Sequence, residues 1–229
     1  MPVGSATVLV GGSTAATVDF ADAVADRLPL FVAVVVGLSA LLLMLVFGSL
    51  LIPVKAAALN LLGVGASLGA ITLVFQHGLF GVAPGPIEAY VPVMIFAIAF
   101  GLSMDYEVFL VARMHEEWEA TGASDPQRAV REGLATTGRV VTAAAAIMVV
   151  VFGSFLLDPS RMLQQFGLGL AVAVLLDALV IRCLILPAVM RLFGARAWWP
   201  PVWLARLLPR VALEHARPAV APVEREVHA

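Results

Sequence analysis

Five long apolar blocks constrain what this chain can fold into. They occupy residues 28–47, 53–75, 90–111, 140–157 and 166–193, and a membrane-crossing helix needs roughly 20 mostly apolar residues. Each block ends at breakers or charge: Gly48 and Ser49, then the stretch 76–86, then 113–119, then Asp158, Pro159 and Arg161. The last block is long enough to tilt or to run on into the interface. Composition agrees, with 61% hydrophobic and 13% charged residues, where soluble domains are about half apolar and a quarter charged. The expected fold class is an all-α membrane protein, with five transmembrane helices in a domain covering 28–195.

Cationic residues sort between the two ends of these blocks. Lys55, Arg113, Arg128, Arg131, Arg139, Arg191, Arg196, Arg206 and Arg210 fall on one side, and Arg27 and Arg161 on the other. The positive-inside rule then places the amino terminus outside and the carboxy terminus in the cytoplasm of a multi-pass plasma-membrane protein. An odd number of spans fits that arrangement. Between blocks three and four, Asp125 followed by Pro126 reads as a capped helix start. Val130, Leu134 and Thr137 recur at helical spacing and Gly138 closes the segment, so 125–137 is expected as a short amphipathic helix on the cytoplasmic face.

The two ends of the chain differ from the blocks. Residues 6–10 suit a strand, Gly11-Gly12 a turn, and 13–27 a helix entering the first span. One strand and one helix cannot bury a core, so 1–27 is expected to be the end of an extracytoplasmic domain. No basic region followed by a short apolar core marks a signal peptide. Residues 196–229 read as a cytoplasmic tail. Trp198, Trp199 and Trp203 suit an interfacial anchor, and the Pro- and charge-rich stretch from about Pro209 is expected to be disordered.

Several function classes are excluded. A net charge of -2 without a basic run gives no footprint for nucleic acid. The single cysteine, Cys183, supports neither a disulfide framework nor a thiolate metal site, and no metal or organic cofactor is indicated. His77 and His115 sit at block ends and His215 and His228 in the tail, so no Ser–His pair is placed for catalysis. The chain is not expected to be an enzyme.

Ionisable groups inside a bilayer cost at least ~2.5–3.5 kcal/mol each on insertion scales and persist when they face protein or water. Asp105 lies in the third block, with Tyr106 beside it and Glu107 following toward the inner interface. It stands about 22 Å from Tyr90 along a helix rising ~1.5 Å per residue. A carboxyl taken out of water favours its neutral form, which suits a group that loads and releases a proton. A structural reading, in which hydrogen bonds to neighbouring helices cap the carboxyl, is about equally supported by placement. Asp177 and Arg182 lie in the fifth block. Five residues at ~100° each separate them by about 140°, a poor same-face pair. Arg182 is therefore expected to snorkel or to pair with another helix, and both residues to position helices more than to carry protons. Gly65-Ala66-Ser67-Leu68-Gly69, preceded by Gly63, forms a small-xxx-small face for close helix packing.

The stretch Phe100-Gly101-Leu102-Ser103-Met104-Asp105-Tyr106-Glu107-Val108-Phe109-Leu110 resembles the signature of the MMPL exporters, a branch of the resistance-nodulation-division superfamily. Supporting stretches begin at Leu28, Ser49, Tyr90 and Asp177, and the likeness covers about residues 5–195. The resemblance implies a resistance-nodulation-division-type bundle. In that family two homologous halves each carry six helices, with an extracytoplasmic porter domain after the first. This chain would match the end of the second porter domain and the five helices after it. The family's Asp-Tyr pair belongs to a proton relay, which carries over to Asp105 and Tyr106, with Glu107, Asp177 and Arg182 as accessory candidates. Implied partners are protons, membrane lipids, a lipid or hydrophobic substrate and an N-terminal half with a matching Asp-Tyr. Without that half the chain is not expected to transport.

Two other readings compete. An intramembrane aspartyl protease would use Asp105 and Asp177 as paired carboxylates, but Ser103-Met104 stands where the Gly-x-Gly-Asp motif would require glycine. A sterol-sensing-like bundle would bind lipid without proton coupling.

Overall fold

A computed structural model describes residues 11–120 and 125–194. The expectations for a strand at 6–10, for the Trp198–Trp203 anchor and for the tail lie outside the described residues. Among the described residues the protein is helical, with no strand. Five helices are long and apolar enough to cross a membrane: Ser13–Phe47, Leu51–Gln76, Val91–Ala120, Val130–Leu157 and Arg161–Phe193. The protein is a multi-pass, all-α membrane protein.

Helix α1 (Ser13–Phe47) spans 35 residues, about 52 Å at ~1.5 Å per residue. That exceeds a ~30 Å hydrocarbon core, so its polar start, with Asp19, Asp22, Asp26 and Arg27, extends beyond the apolar block. It ends at Gly48, whose φ of 61° is left-handed and lets its N–H bond Met44 O. That conformation is open to glycine at little cost. Helix α2 (Leu51–Ile71) continues into one π-helical turn, Thr72–Gln76. Helix α3 (Val91–Ala120) follows the loop 77–90. Helix α4 (Pro126–Ser154) is capped by Asp125, whose Oδ1 accepts from Gln127 N at 3.1 Å and Arg128 N at 2.9 Å.

The sequence pattern predicts that Gly138 ends a separate amphipathic helix; instead α4 runs through it without a break. One interior glycine costs about 1 kcal/mol, and no proline stands beside it to prevent the backbone bonds from continuing. The apolar stripe of that segment is also spoken for. Val130 is buried with Leu134 packed nearby, in a cluster that includes α3 residues Met114 and Trp118. Arg128, Arg131 and Arg139 remain exposed.

Helix α5 (Arg161–Leu175) widens into a π-helical segment, Leu176–Ile185, and resumes as α6 (Leu186–Phe193). Pro187 supplies a reason. Proline has no N–H and its ring crowds the carbonyl four residues back, so the turn before it opens. At the opposite end of the bundle, Arg161 donates to Phe75 O and Ala83 O, both at 2.7 Å. Gln165, fully buried, donates to Pro86 O and accepts from Glu88 N. The start of α5 thereby holds loop 77–90 against the end of α2.

Helices α3 and α5 lie at the centre, packed on each other and on α2 and α4, with α1 at the edge against α2 and α3. Two apolar clusters stack along the bundle. One gathers Ile52, Ala56, Leu110, Val111, Met114, Leu186 and Met190. The other gathers Val64, Ile71, Val91, Ile95, Phe100, Leu170 and Ala173. Where α3 meets α4, a Cβ added to Gly133 would stand 3.0 Å from Met114 Cα and 2.8 Å from its Cγ. Gly133→Leu is accordingly expected to force these helices apart, lowering stability by about 1–3 kcal/mol. Thermal unfolding in detergent against the wild type measures it, and an unchanged transition would show that the contact is dispensable.

Candidate functional site

Between the two apolar clusters lies a layer of polar side chains. Apart from Lys55, which sits beside Ala56 of the first cluster, its members fall along their own helices between contributions to the two clusters. Helix α2 gives Lys55 and Asn60, α3 gives Ser103 and Glu107, and the widened segment gives Asp177 and Arg182. All but Asp177, which is half-buried, are buried.

Arg182 is 1% exposed, and its partners explain how it stays there. Its Nε donates to Asp177 Oδ2 at 2.7 Å. Its Nη2 donates to the Ser103 backbone carbonyl and, at 3.1 Å, to Ser103 Oγ. The guanidinium also lies over the Tyr106 ring, 5.4 Å from its centroid. The expected pairing with another helix is thus observed, but the 140° separation from Asp177 is not. In a π-helix the bond runs from residue i to i+5, so residues five apart lie one turn above each other. The widening before Pro187 converts a poor α-helical spacing into a direct ion pair.

Ser103 Oγ stands at the centre of this layer, 2.7 Å from Asn60 Oδ1 and 2.8 Å from Asp177 Oδ1. Asn60 Nδ2 reaches Met104 Sδ at 3.2 Å. Tyr106, Asp177 and Arg182 line a cavity of about 10 Å³ between α3, α4 and the widened segment, room for about one water. Lys55, which the sequence groups with the cations of one side, is buried and donates to Glu107 Oε1 at 2.9 Å across 52 residues of sequence.

Asp105 takes no part in the layer. Successive helix residues are about 100° apart, so Tyr106 points inward and Asp105 outward. Met94, Ala97, Gly101, Asp105 and Val108 form one exposed face of α3 at helical spacing. Among the described residues Asp105 makes no side-chain hydrogen bond or ion pair. Asp105 and Asp177 therefore do not form the paired carboxylates that a protease would need, because Asp177 is engaged with Ser103 and Arg182. Of the glycines expected to pack, only Gly63 does so here: an added Cβ would meet Ile181 Cδ1 at 2.9 Å. Gly65 and Gly69 meet nothing within 4 Å and face outward. Among the described residues no cluster of His, Cys, Asp or Glu is spaced to hold a metal.

The MMPL family model matches residues 1–218. The chain belongs to the MMPL family. A membrane protein of Streptomyces coelicolor is 45% identical over 96% of this chain, which corresponds to 32% of that relative. Membrane protein YdfJ of Bacillus subtilis is 42% identical over 90% of the chain and 29% of its own length. The trehalose monomycolate exporter MmpL3 of Mycobacterium tuberculosis is 41% identical over 90% of the chain and 22% of its own length. The chain thus spans between about a fifth and a third of these relatives. Their printed names describe membrane proteins and an exporter, not enzymes.

The buried ion pair yields a test of how the layer is held. Removing one member of such a pair leaves an unpaired charge and costs about 3–5 kcal/mol, whereas replacing both by apolar residues is often neutral. Lys55→Met is expected to destabilise by that amount, and Lys55→Met with Glu107→Leu to recover most of the loss. Equal destabilisation by the single and double variants in chemical unfolding would remove the pair from the account.

Proposed function

We propose that this chain is the C-terminal transmembrane half of an exporter of lipids or other hydrophobic compounds, driven by the proton-motive force. Asp105 and Tyr106 carry the proton relay, and the half-transporter is not transport-competent by itself. The observation that carries the reading is the outward Asp105 carboxylate. A carboxyl in mid-span is too costly to leave against lipid, so its face of α3 is a surface for another part of the assembly. Ala97 and Gly101 on that face, and Gly65 and Gly69 on α2, are small enough for close helix approach. Family membership and the name of the MmpL3 relative support lipid export, and the fraction of each relative that is matched supports a missing N-terminal half.

In this reading the amino terminus lies outside and the carboxy terminus in the cytoplasm of the plasma membrane. Residues 1–27 end an extracytoplasmic porter domain. Exposed Arg113, Arg128 and Arg131 at one end of the bundle fit the cytoplasmic side. Tyr106 stands between the two environments, adjacent in sequence to Asp105 and in contact with Arg182. Asp177, Arg182 and Glu107 hold the helices that present it.

Asp105→Asn keeps the size of the side chain and removes its proton. In the complete exporter bearing this segment, reconstituted into proteoliposomes with an imposed proton gradient, export is expected to fall to background. Insertion and thermal stability should stay at wild-type levels. Export that persists at the wild-type rate would refute the relay and favour a lipid-binding bundle without proton coupling.

A further inference from the structure

The neighbours of the Ser103 hydroxyl raise a question of proton accounting. A hydroxyl has one hydrogen to donate and two lone pairs to accept with. Ser103 Oγ faces Asn60 Oδ1 at 2.7 Å, Asp177 Oδ1 at 2.8 Å and Arg182 Nη2 at 3.1 Å. Arg182 can only donate, so it takes one lone pair. Two oxygens remain, and a single hydrogen cannot serve both.

Two arrangements resolve this, and each satisfies the hydroxyl completely. With Asp177 ionised, Ser103 donates to Asp177 Oδ1, and the Asn60 amide turns to donate its N–H to Ser103 Oγ. With Asp177 neutral, the carboxyl O–H donates to Ser103 Oγ, Ser103 donates to Asn60 Oδ1, and Asn60 Nδ2 rests against Met104 Sδ. The second matches the Asn60 orientation observed, and the first matches the short Arg182–Asp177 pair. One proton arrives at Asp177 from water and stays there. No other atom is gained or lost: the Arg182–Asp177 ion pair becomes a hydrogen bond to a neutral carboxyl, and the hydroxyl and the amide reorient, Asn60 Nδ2 exchanging Ser103 Oγ for Met104 Sδ.

We propose that Ser103 and Asn60 form a two-position hydrogen-bond switch that transmits the charge state of Asp177 to helix α2. Asn60 and Ser103 are positioning residues in this role. The switch rests on the proton-coupled reading above and adds to it a route by which a proton in the fifth span is felt in the second. The surroundings favour a crisp change between two states. Asn60 is 2% and Ser103 6% exposed, so neither can exchange its partner for bulk water. The charged and titratable groups around the site are Arg182 on the same segment as Asp177, Tyr106 and Glu107 on α3, and Lys55 on α2. Lys55 and Glu107 are committed to each other. The α4 residues that line the cavity, Val141, Ala145 and Met148, carry no charge.

The test is infrared difference spectroscopy of the full 229-residue chain in lipid, recorded through a pH titration. Asp177→Asn assigns the carboxyl band and Asn60→Leu the amide band. In the wild type, the Asn60 amide band is expected to change in the same pH step as the Asp177 band. In Ser103→Ala the Asn60 response is expected to disappear while the Asp177 step remains, and Ser103→Thr, which keeps the hydroxyl, is expected to restore it. A merely structural contact would alter stability without linking the two bands. An Asn60 band that ignores pH in the wild type, or that still responds in Ser103→Ala, overturns the switch, as does the absence of an Asp177 step. The spectra need no transport, so loss of the switch and loss of the Asp105 relay are read separately.

Discussion

A guanidinium in the middle of a membrane bundle must have its partners supplied by the protein. Arg182 recruits them from two helices: the Asp177 carboxylate on its own segment, and the carbonyl, hydroxyl and neighbouring aromatic ring of α3. Removing any of these would leave charge or polarity in a medium where each unsatisfied group costs several kcal/mol. The register between α3 and the widened segment is therefore tightly specified. Once that register is set, Ser103 faces Asn60, Lys55 reaches Glu107, and the apolar clusters close on either side.

The layered arrangement also separates two roles that are adjacent in sequence. Tyr106 and Glu107 turn into the bundle and take partners there, while Asp105 turns out. A polar layer bonded within one chain, with only Nη1 of Arg182 left unpartnered among its buried side-chain atoms, gives α3 a rigid backing. The outward carboxylate is presented on that backing, on a face whose small residues leave room for another helix. Stability and presentation are thus carried by different side chains of one short stretch, 103–107.

Much of this was legible in the sequence, for physical reasons that differ by residue. The five spans follow from apolar block length, because no side-chain detail is needed to exclude water from a helix. Asp105 and Tyr106 stand out because an ionisable group in an apolar block is rare. Asn60 and Ser103 gave no such signal; single Asn and Ser residues are common in apolar helices, and their value comes only from meeting each other across α2 and α3. Lys55 sits close enough to a block end to pass for an interfacial cation, and only the fold reveals Glu107 beside it. Regular α-helical spacing does not anticipate the Asp177–Arg182 pair, which depends on the widened segment. Pro187, five residues beyond Arg182, was the available signal for a widened turn. The α4 boundary departs from the pattern for the opposite reason, since one glycine is weaker than a helix stop.

The widened segment has a mechanical consequence. A π-helical stretch holds its residues with less rotation per step than an α-helix, so Leu176–Ile185 sets the angle at which α6 emerges. Leu186 and Met190, both essentially inaccessible, enter the apolar cluster around Ile52 and Met114 at that angle. Winding the stretch back to α-geometry would turn α6 about its axis like a screw, withdrawing both residues from the cluster in the same motion that parts Asp177 from Arg182. The charge pair and that cluster are geared to one thread.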